Sequence, residues 1–257
     1  MRILITGHKG FIGSHLAKLV GDFDGIDLKE GCDIRGQLPD VKYTHIFHLA
    51  AKRSVPESIK NPRDFIETNC WGTQNLLQTY PGARIVNVSS ASASEPLSVY
   101  GATKLFGETV AANHPNCLSI RLYNVFGEGQ PFESGALIPR AIYSKLTGRP
   151  MTIYDGGIQK RDFTYVGDVV DQLKFYMFDT INTGLLHVGY SRAISVNEVI
   201  SKIFGDAPMP DIDFQPKRSF EIVHNQCPYH ITNPRYGRDE GLKRTIEWYT
   251  RHYSSST

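Results

Sequence analysis

One segment near the N-terminus limits the fold more than any other. Residues 2–6 (RILIT) are a short apolar run, and Thr6-Gly7-His8-Lys9-Gly10-Phe11-Ile12-Gly13 follows it at once. With 23 glycines in 257 residues, three at this spacing arise by chance about 0.2 times. Residues 11–20 carry the apolar pattern of a helix, so the glycines lie between a strand and a helix start. That order lets the backbone come close to a pyrophosphate and aims helix N-terminal amides at it. The segment therefore predicts a parallel α/β sheet with a dinucleotide at its first crossover.

The rest of the first half fits. Short apolar strands are expected at 25–27, 45–49, 85–89 and 118–122, with helices at 64–79 and 100–113. Strands alternating with helices imply a parallel sheet covered on both faces. Beyond residue 127 the pattern loosens. A helix is expected at 137–146, a strand at 151–154, a helix at 169–178 and a strand at 185–188. Ser195-Val196-Asn197-Glu198 reads as a capping box opening a helix. Pro208, Pro210 and Pro216 mark an irregular stretch, and 242–252 closes as a helix. The expected fold is α/β: a Rossmann-type doubly wound parallel sheet with a smaller C-terminal substrate-binding lobe. The dinucleotide domain takes 1–124 plus 164–189, and the lobe takes 125–163 plus 190–257.

Composition removes several function classes. The net charge is +2, too balanced for a general nucleic-acid binder. The 40% hydrophobic and 21% charged residues describe a globular chain. Cys32, Cys70, Cys117 and Cys227 show no CxxC spacing. They read as free thiols in a reducing cytoplasm, with no metal site. No apolar run approaches the roughly 18 residues that a membrane span needs, and no signal-peptide pattern precedes Gly7. A cytoplasmic protein is expected.

Two further features carry chemistry. Asp27 follows Gly7 by 20 residues, at the end of the second strand. There an acid accepts hydrogen bonds from a ribose 2′-hydroxyl and repels a 2′-phosphate, which favours NAD over NADP. Tyr100 and Lys104 form YxxxK on one face of a predicted helix, after a strand ending in Ser89-Ser90. A phenol with its usual pKa near 10 is a poor base at neutral pH, and a nearby ammonium favours its ionised form.

These motifs together resemble the extended short-chain dehydrogenase/reductase family, among its NAD-dependent nucleotide-sugar epimerases and dehydratases. The resemblance rests on GHKGFIG at 7–13, Asp33-Ile34, HLAA at 48–51, PES at 56–58 and NCWGTQNLL at 69–77. It continues through VSS at 88–90, YGATK at 100–104, RLYNVFG at 121–127, LIPRAI at 137–142 and QKRDFTYVGDVVD at 159–171. It implies that Gly7, Gly10, Phe11, Ile12 and Gly13 hold the pyrophosphate of NAD and Asp27 its adenosine ribose. Asp33 and Ile34 would line the adenine, and Leu49, Ala50, Ala51 and Asn69 would lie along the cofactor. Lys104 would bind the nicotinamide ribose and depress the Tyr100 pKa. Ser90 is the implied active-site serine, with Ser89 and Ser92 as rivals. Arg53, Ser90, Asn124, Arg161 and Arg218 fall on the side of a nucleotide-diphosphate sugar, a UDP-sugar being favoured. The resemblance also implies a homodimer built on the helices near 64–79 and 100–113, to which Trp71 and Phe106 could contribute unless they belong to the core.

The chain departs from the family pattern in places. Only 17 residues separate Asp27 from His45, leaving little room for a helix after the second strand. Ser90 and Tyr100 are ten apart, and Ser92-Ala93-Ser94-Glu95-Pro96 stands where VYG often follows the serine. No Asp–Glu pair follows Ser90, which argues against 4,6-dehydration. No Cys–His pair stands where 3,5-epimerases of the family carry theirs. The expected reaction is 4-epimerisation through a transient 4-keto sugar. A hexuronate decarboxylase, a ketosugar reductase and, last, a non-catalytic NAD-binding protein are the alternatives.

Overall fold

In the computed structural model, which describes residues 1–179, 183–220, 222–231 and 233–254, the chain divides into two compact units. The first comprises 1–122 and 170–188, the second 123–169 and 189–257.

The first unit is built on strands β1 (Ile3–Thr6), β2 (Asp24–Ile26), β3 (His45–His48), β4 (Arg84–Ser90) and β5 (Cys117–Leu122), joined by Gly184–Val188. All six pair in parallel, in the order β2-β1-β3-β4-β5 and then Gly184–Val188. β1 is buried throughout and β4 over its first six residues. Continuous apolar strands of this kind need helices on both faces. Helices α1 (Phe11–Val20), α2 (Val55–Lys60), α3 (Pro62–Phe65), α4 (Gly72–Thr79) and α5 (Val99–Ala111) belong to this unit. One core cluster joins Leu4, Ile26, Ile46 and Ile85 of the strands to Leu76 and Leu77 of α4.

The strand order is the doubly wound order with its outermost strand missing on the β2 side. The short segment between Asp27 and His45 explains this. It holds only a single 3₁₀ turn, Leu28–Glu30, and a loop. Two other differences from the sequence reading are physical. The helix expected at 64–79 is three pieces, α3 and α4 joined by a π turn over Ile66–Trp71. Such a turn inserts a residue into the helix and is frequent at functional sites. Helix α2 was not expected: its six residues are too few to show a helical period.

The second unit has only short pairings. Val125–Phe126 pairs with Thr164–Tyr165, and Lys160–Arg161 pairs with both Ile194–Ser195 and His224–Asn225. Met151–Tyr154 pairs in parallel with Ile212–Gln215, a strand inside the stretch read as irregular from its prolines. Helices Leu137–Thr147, Val196–Phe204 and Gly237–Ser254 complete it. The Ser195–Glu198 capping box is formed. Two buried carboxylates tie the loops together. Asp162 accepts from the Tyr190 and Cys227 amides and from Arg238. Asp168 accepts from the Tyr190 hydroxyl and from the Tyr236 and Gly237 amides.

Candidate functional site

The glycine turn lies where the strand order reverses, between β1 and β3. Gly7 has φ +74°, and a Cβ there would stand 2.7 Å from the Ala50 amide nitrogen. A Cβ on Gly13 would stand 2.1 Å from the Gly7 carbonyl oxygen. Only glycines allow this packing of α1 against the end of β1, and Leu49 and Ala50 are thereby brought against the turn. The first bond of α1 runs from the Ser14 amide to the Gly10 carbonyl, 2.9 Å. The amides of Phe11, Ile12 and Gly13 therefore precede the helical ladder, as an anion site requires.

Asp27 is 8% exposed and just follows β2. Its Oδ2 accepts from the Lys9 amide at 2.8 Å and its Oδ1 from the Lys29 amide at 2.9 Å. The acid is thus locked to the glycine turn, with lone pairs left for a ribose. The residues present fit a dinucleotide whose adenosine ribose bears a free 2′-hydroxyl.

Three expected cofactor residues are more committed than the sequence suggested. Asp33 is paired side by side with Arg35, at 2.6 to 3.1 Å, and its carboxyl is held below the ordinary value mainly by that guanidinium. Ile34 is 4% exposed and belongs to the core cluster. Asn69 uses its amide on the protein: Oδ1 accepts from the Lys52 amide at 2.7 Å, and Nδ2 donates to the Lys52 carbonyl and to Thr103 Oγ1. It fastens the loop after β3 to α5.

Tyr100 stands in the first turn of α5. The Ser98 side chain caps this helix by accepting from the Gly101 amide at 3.1 Å. Gly101 permits the close approach of the shortened loop: a Cβ there would lie 2.6 Å from the Ser92 carbonyl. Ser58 of α2 accepts from the Tyr100 amide at 3.1 Å, which gives the serine of the PES segment a physical role. Phe65 packs edge-on to the Tyr100 ring.

The structure separates the three serines. Ser89 donates its hydroxyl to Glu108 at 2.5 Å, whereas the Ser90 hydroxyl acts on the Tyr100 phenol. Ser90 also accepts from the Ser92 amide at 3.2 Å. Ser92 thus contributes its backbone here. Burial raises the Tyr100 phenol above its ordinary value, while Ser90 and then Arg53 draw it down. The expectation that Lys104 depresses this phenol is corrected for the unliganded protein. Its ammonium donates to the Val88 carbonyl at 2.9 Å, and burial brings it down to about 8. Arg53 is exposed, in the loop ahead of α2.

In the second unit Asn124, Arg161 and Arg218 line one pocket of about 230 Å³. Arg161 donates to the Lys160 and Val223 carbonyls. Arg218 lies 4.1 Å over the Tyr154 ring. Among the lining residues missed from sequence are Arg140 and Tyr154. Arg140 donates to the Thr152 carbonyl at 2.7 Å. The signal for it was a lone arginine in an otherwise apolar helix start, LIPRAI. Asn124 has φ +33°, a left-handed conformation that asparagine tolerates better than most residues.

Among the described residues no group of three or more His, Cys, Asp or Glu is placed to hold a metal ion. None of the described helices is long and apolar enough to cross a membrane.

Residues 3–184 match the model of the NAD dependent epimerase/dehydratase family. The chain belongs to that family and is an NAD-dependent enzyme. Its relatives are individually distant. It is 27% identical to a UDP-N-acetyl-alpha-D-glucosaminuronate decarboxylase of Bacillus cytotoxicus, over 96% of this chain and 97% of that protein. It is 28% identical to UDP-glucuronate 4-epimerase 1 of Arabidopsis thaliana, over 99% of this chain and 78% of that one. Among solved structures, MoeE5 in complex with UDP-glucose and NAD superposes with a TM-score of 0.85 at 27% identity, over 98% of this chain and 100% of that one.

Proposed function

We propose that this enzyme interconverts nucleotide-diphosphate sugars, UDP-sugars in particular, at C4 through a transient 4-keto intermediate. The observation that carries the reading is the buried Tyr100 phenol acted on by the Ser90 hydroxyl, with Lys104 one helical turn away. NAD, when bound, supplies the oxidant that takes up and returns two electrons at C4. Tyr100 accepts the proton of the C4 hydroxyl and later gives one back. Ser90 hydrogen-bonds the same oxygen. Lys104, fixed by the Val88 carbonyl, holds the nicotinamide ribose. No acid pair accompanies Ser90 in 89–93, so elimination of water has no residues to perform it.

In this reading the first unit binds NAD and the second the nucleotide diphosphate, through Asn124, Arg161 and Arg218. A homodimer is built on the exposed apolar face of Ile66, Trp71 and Phe106, which are 50%, 58% and 42% exposed. Surface residues of this size on one pair of helices suit an interface better than a core. The four free cysteines suit the cytoplasm.

A second reading, decarboxylation of a hexuronate after the same 4-keto step, is favoured by Arg53. An exposed guanidinium acting on the Tyr100 phenol suits a sugar that brings its own carboxylate. Both readings are tested by turnover of UDP-, GDP- and dTDP-sugars followed by NMR. Substrate deuterated at C4 gives an epimer that keeps its deuterium at C4. Loss of that label to solvent overturns the mechanism, and carbon dioxide release from UDP-glucuronate selects the second reading. Light scattering at micromolar concentration reads the dimer, and a monomer mass removes it.

A further inference from the structure

Glu108 and Arg121 form a buried ion pair that the reaction above does not use. They are 8% and 13% exposed. Arg121, on β5, reaches Glu108 of α5 with both Nε and Nη2, at 2.7 and 2.6 Å. Its third nitrogen, Nη1, donates to Ser94 Oγ at 2.8 Å, in the short loop between Ser90 and Tyr100. Glu108 Oε1 also accepts from Ser89 Oγ at 2.5 Å, one residue before Ser90. One carboxylate and one guanidinium thus bind three segments together: β4, which carries Ser90, α5, which carries Tyr100 and Lys104, and the loop between them.

We propose that Glu108, locked by Arg121, is a positioning residue: it holds these three segments in register and keeps Lys104 charged for the nicotinamide ribose. The inference rests on the assignment of Lys104 to that ribose. Glu108 lies one helical turn beyond Lys104, so the two side chains share a face of α5. The other groups around Lys104 are Tyr100 one turn before it on α5, Cys70 from the π turn, His48 from β3 and the Val88 carbonyl from β4. The pull of Glu108 on the ammonium exceeds that of Cys70, and His48 is fully buried and neutral at ordinary pH. Arg121 cannot raise the proton affinity of a lysine. Its part is to fix the carboxylate in place through two hydrogen bonds.

The test is the pH dependence of NAD affinity by titration calorimetry, which needs no sugar. In the wild type, affinity is flat below pH 8 and weakens above it as Lys104 loses its proton. Glu108→Gln moves that break down by about one pH unit, so that affinity at pH 8 falls several-fold while affinity at pH 6 is nearly kept. Glu108→Asp, which retains the charge, restores most of the break. Ser89→Ala removes one of the two donors on Glu108 Oε1 and leaves Arg121 paired, so it loosens the carboxylate and shifts the break in the same direction by less. It also keeps the test alive if Glu108→Gln does not fold. A uniform loss of affinity with an unmoved break in the folded variants overturns the proposal and leaves Glu108 as scaffold. A wild type with no break between pH 6 and 10 overturns instead the assignment of Lys104 to the ribose.

Discussion

The candidate catalytic end of the first unit and the arginine pocket of the second hold their charged groups by different means. In the first, charges are matched within the protein. Arg121 is paired with Glu108, Arg35 with Asp33, and Lys52 with Asp64. In the pocket of the second, Arg140 and Arg161 donate to backbone carbonyls and Arg218 stacks on an aromatic ring, whereas Arg238, outside the pocket lining, pairs with Asp162. A carbonyl or a ring fixes a guanidinium without cancelling its charge. The pairing in the first unit suits a scaffold for the proposed base, serine and lysine. The pocket arginines of the second suit the nucleotide diphosphate proposed for them.

That contrast predicts different failures. The largest belongs to the first unit. Tyr100→Phe removes one oxygen and keeps the ring packed on Phe65. General-base catalysis is worth about a hundredfold to ten-thousandfold, so kcat falls by that factor. NAD affinity by calorimetry stays within about twofold, since the ring itself is kept. Full turnover by this variant would break the assignment of the base. Arg161→Leu comes next, in the second unit. A hydrogen bond to a charged group is worth about 1.5–3 kcal/mol, so KM for a UDP-sugar rises about tenfold to a hundredfold with kcat and NAD affinity little changed. If instead NAD affinity falls, the division of labour between the units is wrong. A smaller effect is expected at Asp27. Asp27→Asn keeps an acceptor for the Lys9 or Lys29 amide but removes the negative charge. The preference for NAD over NADP, read by titrating both cofactors, then narrows about tenfold. An unchanged ratio would mean that a group other than Asp27 makes the selection.

The same contrast accounts for what could be read from sequence. The parallel sheet, the glycine turn and the Tyr100–Lys104 pair were legible because each is a local pattern: a strand, a turn and a helix start within a dozen residues. The absence of a helix between Asp27 and His45 followed from chain length alone. What escaped depends on contacts across long separations. Ser58 meets the Tyr100 amide from 42 residues away, and Asn69 meets Thr103 from 34. Nothing in NCWGTQNLL distinguishes a side chain that touches a cofactor from one that ties down a loop. The serine assignment was open for a related reason. Adjacent residues on a strand point to opposite faces, so Ser89 and Ser90 could be told apart only when Glu108 was seen to claim one of them. In the second unit Arg218 was hard to place because it follows a strand, Ile212–Gln215, that lies among prolines and pairs with a partner 61 residues earlier.

The smallest effect at neutral pH, and the sharpest probe of how rigid the first unit is, concerns His48. Its imidazole is fully buried between Thr6 on β1 and Thr73 on α4, at 2.8 and 2.9 Å. Burial, with Lys104 adding to it, depresses its pKa to about 3. The unfolded chain therefore binds a proton near pH 6.5 that the folded chain refuses. The stability from keeping His48 neutral is fully present above pH 6.5 and declines as pH falls toward 3. Each pH unit below 6.5 costs about 1.4 kcal/mol, which is about 2 kcal/mol at pH 5. His48→Asn removes this titration while keeping polar atoms for the two threonines. Urea unfolding of both proteins at pH 7 and pH 5 measures it. The wild type is expected to lose about 2 kcal/mol more between those two conditions than the variant does. Equal losses would mean that His48 becomes protonated inside the fold. The junction of β1, β3 and α4 would then be open enough to solvate a charge, and the first unit would be no stiffer at that point than the loops of the second.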